Sequence, residues 1–347
     1  MFPNALRLPK LIVPMTRRCD RLWAGPARPG VTSEEPLEDK KLTTESGGQP
    51  LSLYDAARAV GVAFSREWAP QDRYVTVNGL RFHYFEWGEP DNPPMLLLHG
   101  FAQTCHSWDF VALSLCDSFR VLALDQRGHG DSDWAPDGDY SPEAQQGDIH
   151  AVVEALDLND LVLMGLSMGG RNTLTYAAHH PERLRALIIV DAAPESMRTG
   201  GDNIRRFVEQ EDELDSVEDF VRRVQKFNSR RPVEQIRGSI LHNLKQLPNG
   251  KWTWKYDKVL RSPERRMFHQ DPETVARLWG YVEGLQRPTL VVRGAKSDIV
   301  ALDTAENMHR RIPNGRLATV EGAGHLVMGD NPSGFQRAVT EFLAGLD

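Results

Sequence analysis

The stretch LVLMGLSMGGRNTL (161–174) puts a single hydroxyl, Ser167, among three glycines, Gly165, Gly169 and Gly170. The apolar run before it reads as a strand, and MGGRNTLTYAAHH after it, stopped by Pro181, reads as a helix. A serine on so sharp a strand-to-helix turn needs glycine two residues to either side, because β-carbons there would collide. Its hydroxyl then stands clear of the sheet at the positive end of the helix, where developing negative charge is stabilised. The chemistry such a residue could perform is nucleophilic attack.

A serine hydroxyl needs a base, and the base needs an acid to orient it. Both are expected after the serine, at strand ends, acid first. PTLVVRGAKSDIV places Asp298 just beyond an apolar run, and GRLATVEGAGHLV places His325 beyond the next one, beside Gly322 and Gly324. Asp298 is therefore the expected acid and His325 the expected base. Asp191, in LIIVDAAP, also ends a strand and competes with Asp298, but it is read as a tether for the segment that follows it. Asp125 and Arg127 in LALDQRGHGDSD precede the serine and are read as holding their loop by charge and hydrogen bonds.

Acyl transfer also needs donors for an oxyanion. The backbone N–H of Met168 is one candidate. The N–H of Phe101, after the Gly100 turn of LLLHGF, is the other. His99 precedes that turn and is expected to be structural. Trp108, Val300 and Leu326 are the expected pocket wall, with the N–H-bearing residues Phe101 and Met168 beside them. The aromatic-rich stretch containing Trp252, Trp254, Tyr256, Met267, Phe268, Trp279 and Tyr281 is expected mainly to pack an insertion onto the core.

The elements that must position these residues follow from the pattern. RYVTVNGLRFHYFEWG (73–88) is a hairpin turning at Asn78-Gly79. Continuous apolar runs at 94–100, 119–128, 160–167, 185–194, 288–298 and 315–325 read as strands covered on both faces. Amphipathic stretches near 105–116, 142–156, 168–180, 302–312 and 333–345 alternate with them. This is an α/β chain with a mostly parallel sheet. The core is expected over 71–195 and 285–347. Residues 196–284 lack a buried-strand signal and are expected to form a helical cap.

Composition bounds the rest. The 347 residues hold 41 Lys and Arg against 48 Asp and Glu, a net charge of −7, which argues against a nucleic-acid partner. The sequence has no run of eighteen apolar residues, so no membrane span is expected. Cys19, Cys105 and Cys116 form no CxxC pair and suggest a reducing compartment such as the cytoplasm. Residues 1–33 carry six basic residues and one acid, and 32–50 are polar and turn-rich. Residues 1–70 are therefore expected to be a largely irregular extension, with Met15 an alternative start and a targeting segment only weakly supported. Whether the protein is a monomer or a dimer is open.

Taken together, HGF (99–101) with Trp108, DQRGHGDSD (125–133), GLSMGG (165–170), RGAKSD (293–298) and GAGH (322–325) resemble the α/β-hydrolase superfamily in its usual order, over about residues 70–347. The resemblance implies an eight-stranded core, a helical cap after the sixth strand, no cofactor or metal, and hydrolysis through an acyl-enzyme. Haloalkane dehalogenases and epoxide hydrolases of this fold use an aspartate where this chain has Ser167. The expected activity is a serine carboxylesterase acting on short-to-medium, uncharged esters, with Arg205, Arg206 and Arg231 of the insertion solvated. C–C bond hydrolysis, lactone opening and cofactor-free perhydrolysis would use the same residues, and a non-catalytic small-molecule receptor is the alternative of a different class.

Overall fold

The structure is a computed structural model that describes residues 31–32, 51–262 and 271–346. The basic N-terminal segment, Cys19, the 33–50 stretch, Met267 and Phe268 lie outside the described residues.

One mixed sheet organises the chain. Its strands are β1 (Val31–Thr32), β2 (Gln71–Val77), β3 (Leu80–Trp87), β4 (Pro94–Leu98), β5 (Arg120–Leu124), β6 (Leu161–Leu166) and β7 (Leu184–Val190). A small hairpin, β8 (Leu244–Gln246) and β9 (Trp252–Trp254), stands apart from it. The sheet resumes with β10 (Thr289–Gly294) and β11 (Gly315–Val320). The order is β1-β2-β3-β5-β4-β6-β7-β10-β11. Without the two-residue edge strand β1 this is the expected eight-stranded sheet, antiparallel through β2, β3 and β5 and parallel from β5 to β11. The β2–β3 turn is at Asn78 and Gly79, both with positive φ, as a two-residue hairpin requires.

Strand alternation explains why the parallel strands read as unbroken apolar runs. Leu96, Leu98, Leu122, Leu124, Leu163 and Ile189 face one layer of helices. Met95, Leu97, Val121, Ala123, Met164 and Val190 face the other. Both faces are dry, so neither parity position can be polar. The first layer contains α3 (Pro142–Ala155), α4 (Met168–His179), α8 (Pro272–Gly284) and α9 (Leu302–Arg311). The second contains α1 (Leu53–Ala59), α2 (Asp109–Leu115) and α11 (Pro332–Leu343).

Residues 51–70, expected to belong to an irregular extension, are folded onto this second layer. Ala57 and Val62 are buried there, and Tyr54 donates its hydroxyl to the Trp68 carbonyl at 2.9 Å. The signal is a seven-residue helix with only one buried position, too short for a periodicity to show.

Between β7 and α8 the chain builds a separate apolar cluster from α5 (Arg198–Val208), α6 (Val217–Phe227), α7 (Val233–Ile240) and the β8–β9 hairpin. Phe220, Val221, Ile236, Ile240, Trp254 and Tyr256 are its buried members. The segment is thus helical with a hairpin inside it. The end of the stretch expected to be the cap, α8, packs instead with the main core, where Leu278 and Val282 are buried against the sheet layer.

Candidate functional site

Backbone geometry at Ser167 follows from its two flanking glycines. Ser167 has φ 54° and ψ −110°, a region that L-residues rarely adopt. A β-carbon on Gly165 would lie 2.1 Å from the Gly169 carbonyl oxygen, and one on Gly169 would lie 2.2 Å from that of Leu98. Only glycine lets the strand and the helix meet so closely. Met168 opens α4, so its N–H belongs to the first turn, whose donors have no partner within the helix.

The strand after the serine fixes its neighbour. Leu166 pairs with Val190, and the Ser167 N–H donates to the Val190 carbonyl at 3.0 Å. Asp191, the next residue, therefore leaves the same sheet edge beside Ser167. It too has a positive φ, 43°, and its side chain is fully buried. Its Oδ2 lies 2.7 Å from Nδ1 of His325. The same oxygen accepts the Ser297 hydroxyl at 2.6 Å, and Oδ1 accepts the Gly294 N–H at 3.2 Å.

The imidazole thus meets Asp191 and not the expected Asp298. Asp298 does not meet the imidazole: it is exposed, and its carboxylate accepts from Asn203 of α5 at 3.1 Å. The reason is local. In the loop after β10 it is Ser297 that turns inward, where its oxygen also accepts the N–H groups of Ile299 and Val300 at 3.1 Å each. The turn that buries Ser297, closed by its N–H on the Gly294 carbonyl at 2.9 Å, leaves Asp298 facing out. The loop is held in that sense by buried Arg293, which donates to the Val300 and Ala295 carbonyls.

His325 sits in the loop after β11 and its side chain is 14% exposed. That loop lies against the end of β10: a β-carbon on Gly294 would come within 2.0 Å of the Gly324 carbonyl oxygen. The Gly324 N–H donates to Asp330 at 2.8 Å. Arg171, four residues into the helix after Ser167, donates to the Ala193 carbonyl at 3.3 Å and the Ser196 hydroxyl at 2.9 Å, and so braces the segment leaving Asp191.

His99 is structural, as expected. It is fully buried, its Nε2 accepts the Gln126 N–H at 3.0 Å, and Nδ1 is then the donor to the Gly100 carbonyl at 2.7 Å. Burial pulls its pKa down and favours this neutral form. Pinning the Gly100 carbonyl also fixes the plane that carries the Phe101 N–H on its opposite side.

Asp125 and Arg127 hold their loop. Asp125 accepts from the Cys105 N–H at 2.7 Å and the Asp131 N–H at 3.0 Å and pairs with His83 at 2.7 Å, while Arg127 grips Asp148 and the Asp139 carbonyl.

Two of the three expected wall residues belong to the core instead. Trp108 is fully buried among Met95, Leu97 and Phe335, and Val300 is buried with Ile299 in the opposite layer. Sequence position put them near strand ends, but their side chains turn into the helix layers. Leu326 does line a cavity of about 610 Å³, together with His325, Ile299, Asp298 and residues of α5 and α6. Phe101 packs its ring on Tyr256 of the insertion, centroids 5.5 Å apart.

The insertion is tied to the core beside the loops after β4 and β5. Gly130 donates to the Lys255 carbonyl at 2.7 Å, Asp257 to that of Gly128 at 2.8 Å, and Thr104 to Asn243 at 3.0 Å. His242 stacks on His106, centroids 3.7 Å apart, and His106 meets Asp109 at 2.9 Å. Their potential ligand atoms, like those of His83, Cys105 and Asp125, lie within 4.8 Å of one another. In the buried trio, the Cys105 thiol is pushed well up by burial and by Asp125, which disfavours the thiolate a metal would need. Among the described residues no helix is long and apolar enough to cross a membrane.

Comparison with known proteins gives one consistent picture. A family profile described as the alpha/beta hydrolase fold matches residues 93–332. Esterase Rv0045c of Mycobacterium tuberculosis is 32% identical over 268 residues, 75% of this chain and 84% of that protein. The 3-hydroxybutyrate-oligomer hydrolase of Cupriavidus necator is 29% identical over 257 residues, 71% of this chain and 87% of that protein. Among solved structures, an alpha/beta hydrolase from Novosphingobium aromaticivorans superposes with a TM-score of 0.72 at 28% identity, covering 80% of this chain and 99% of the other.

Proposed function

This chain belongs to the alpha/beta hydrolase family, and we propose that it is a serine hydrolase that cleaves carboxylic esters through an acyl-enzyme, with Ser167 as nucleophile, His325 as base and Asp191 as the acid that orients it. The observation that carries this reading is the 2.7 Å hydrogen bond between His325 Nδ1 and Asp191 Oδ2, at the sheet edge where Ser167 holds its strained turn. With the Nδ1 proton committed to Asp191, the lone pair sits on Nε2, the nitrogen required to take the serine proton.

In the proposed reaction Ser167 Oγ attacks the ester carbonyl while His325 accepts its proton. The N–H groups of Met168 and Phe101 receive the oxyanion, and the His99–Gly100 hydrogen bond supports the Phe101 assignment by fixing that peptide. His325 then protonates the departing alcohol. Water, deprotonated by the same imidazole, adds to the acyl-enzyme and releases the acid. Asp191, held in place by Ser297 and Gly294, stays paired with the imidazolium as it forms. Within the expected 196–284 cap, residues 196–262 are proposed to cover this site, supported by their own apolar cluster and by the cavity they share with His325.

The relatives named as an esterase and as a 3-hydroxybutyrate-oligomer hydrolase support the same class here. The test is labelling with a fluorophosphonate, read by mass spectrometry, together with hydrolysis of p-nitrophenyl acetate and butyrate. A single adduct on Ser167 and turnover abolished in Ser167→Ala are expected. Folded protein that takes no label and turns over neither ester would overturn the reading.

A further inference from the structure

The cavity that His325 lines carries an excess of cations, although the chain as a whole is acidic. The chain as a whole has net charge −7, yet five cations, Arg206, Arg222, Arg223, Lys226 and Arg230, line this cavity against two acids, Asp298 and Asp330. Most of these groups are already committed. Arg206 donates to Asn203 at 2.6 Å, Arg222 pairs with Asp219 at 2.5 Å, and Arg223 donates to the Glu211 carbonyl. The acids are occupied as well: Asp330 accepts from Asn228 and from the Gly324 N–H, each at 2.8 Å, and Asp298 from Asn203.

Among the described residues, the side chains of Lys226 and Arg230 have no hydrogen-bond or ion-pair partner. They come from the end of α6 and the turn after it. Arg230 is close to the loop that carries His325: its Nη1 lies 2.8 Å from where a β-carbon on Gly324, one residue before, would stand. Glycine at 324 is what lets a guanidinium approach there. Phe207, Phe227, Ile204 and Leu326 give the same cavity apolar wall between the charges.

Two uncommitted cations beside an apolar stretch match a ligand with an alkyl or aryl body and an anionic end. We propose that this site selects carboxylic esters carrying a second, free carboxylate, of which a monoester of a short dicarboxylic acid is the simplest, with Arg230 and Lys226 as the residues that recognise the carboxylate. The proposal rests on the serine-hydrolase reading above and replaces the uncharged ester expected from sequence.

A matched pair of substrates tests it: mono-p-nitrophenyl glutarate, and p-nitrophenyl pentanoate, which has the same chain length and no charge. The full-length protein should favour the glutarate by at least ~10-fold in kcat/KM, mainly through KM, with the preference shrinking as salt rises. Arg230→Gln and Lys226→Glu should each cut that ratio several-fold, and Arg230→Lys should restore part of it. In folded Ser167→Ala, calorimetry with monomethyl glutarate should show binding that Arg230→Gln weakens, a readout that needs no turnover. A ratio near one, or a ratio and an affinity that ignore both substitutions, would overturn the proposal. Pentanoate hydrolysis and fluorophosphonate labelling report on Ser167 alone, so the two readings fail separately. An isosteric phosphonate monoester bound as tightly as the carboxylate would also count against it, because the site would then recognise charge without shape.

Discussion

The Ser297 hydroxyl donates to Asp191 over 2.6 Å, on the same carboxylate oxygen that meets the imidazole of His325. A serine thus occupies the inward position of the loop after β10, and the carboxylate that meets the imidazole comes from the end of β7. Because that oxygen is shared, the loop after β10 still controls how the imidazole is held, without contributing a charge.

The first consequence separates two aspartates. Asp191→Asn puts an amide where a carboxylate meets His325 and should lower kcat for p-nitrophenyl butyrate by ~10³–10⁴. Asp298→Asn changes a group bonded to Asn203 and should cost far less, within about 3-fold. Equal losses in the two variants would reverse the assignment of the acid.

Ser297→Ala removes one donor to Asp191 and one acceptor for the N–H groups of Ile299 and Val300. A hydrogen bond to a charged group contributes about 1.5–3 kcal/mol, so kcat should fall about 10–100-fold. Ser297→Thr keeps the hydroxyl and should recover much of that loss. A loss that Ser297→Thr leaves unchanged would mean that Ser297 only shapes the loop.

Gly165→Ala tests the turn at Ser167. The added β-carbon would stand 2.1 Å from a backbone oxygen, which cannot yield as a side-chain tip could. Overpacking of this kind costs about 1–3 kcal/mol or more, so thermal unfolding should drop by several degrees and fluorophosphonate labelling should slow. Stability and labelling equal to the parent protein would contradict the geometry at this turn.

Buried His83 predicts an alkaline limit to stability. Burial opposes its charge, but hydrogen bonds to Asp125 and Asp72 overcome that and raise its pKa to about 9. With a folded pKa above the ordinary 6.5, protonation of His83 favours the fold fully below about pH 6.5, and the benefit fades as pH rises through about 9. Asp125 has the opposite sense: its pKa is held below the usual range against burial, chiefly by His83, so its contribution is present at neutral pH and lost in acid. Melting temperature measured from pH 6 to 10 should fall across that window. The slope should be shallower in His83→Gln, and parallel curves would rule out this linkage.

Local rules were enough for much of this molecule. Ser167 was legible because a hydroxyl between glycines at a strand-to-helix switch has few other uses, and the strand runs were legible because a doubly covered sheet leaves no polar parity. The Asn78-Gly79 turn was set by backbone preference alone. Short elements such as α1 and the β8–β9 hairpin left no periodicity to read. What only the tertiary structure decided was side-chain direction in loops. The pairing of His325 with Asp191 rather than Asp298, the burial of Trp108 and Val300, and the cations that share a cavity with His325 all depend on which way a residue turns once strands and helices are docked. The order of residues along a chain fixes which strand end a group follows, whereas its partner is chosen by the neighbouring segments that reach the same point from elsewhere in the sequence.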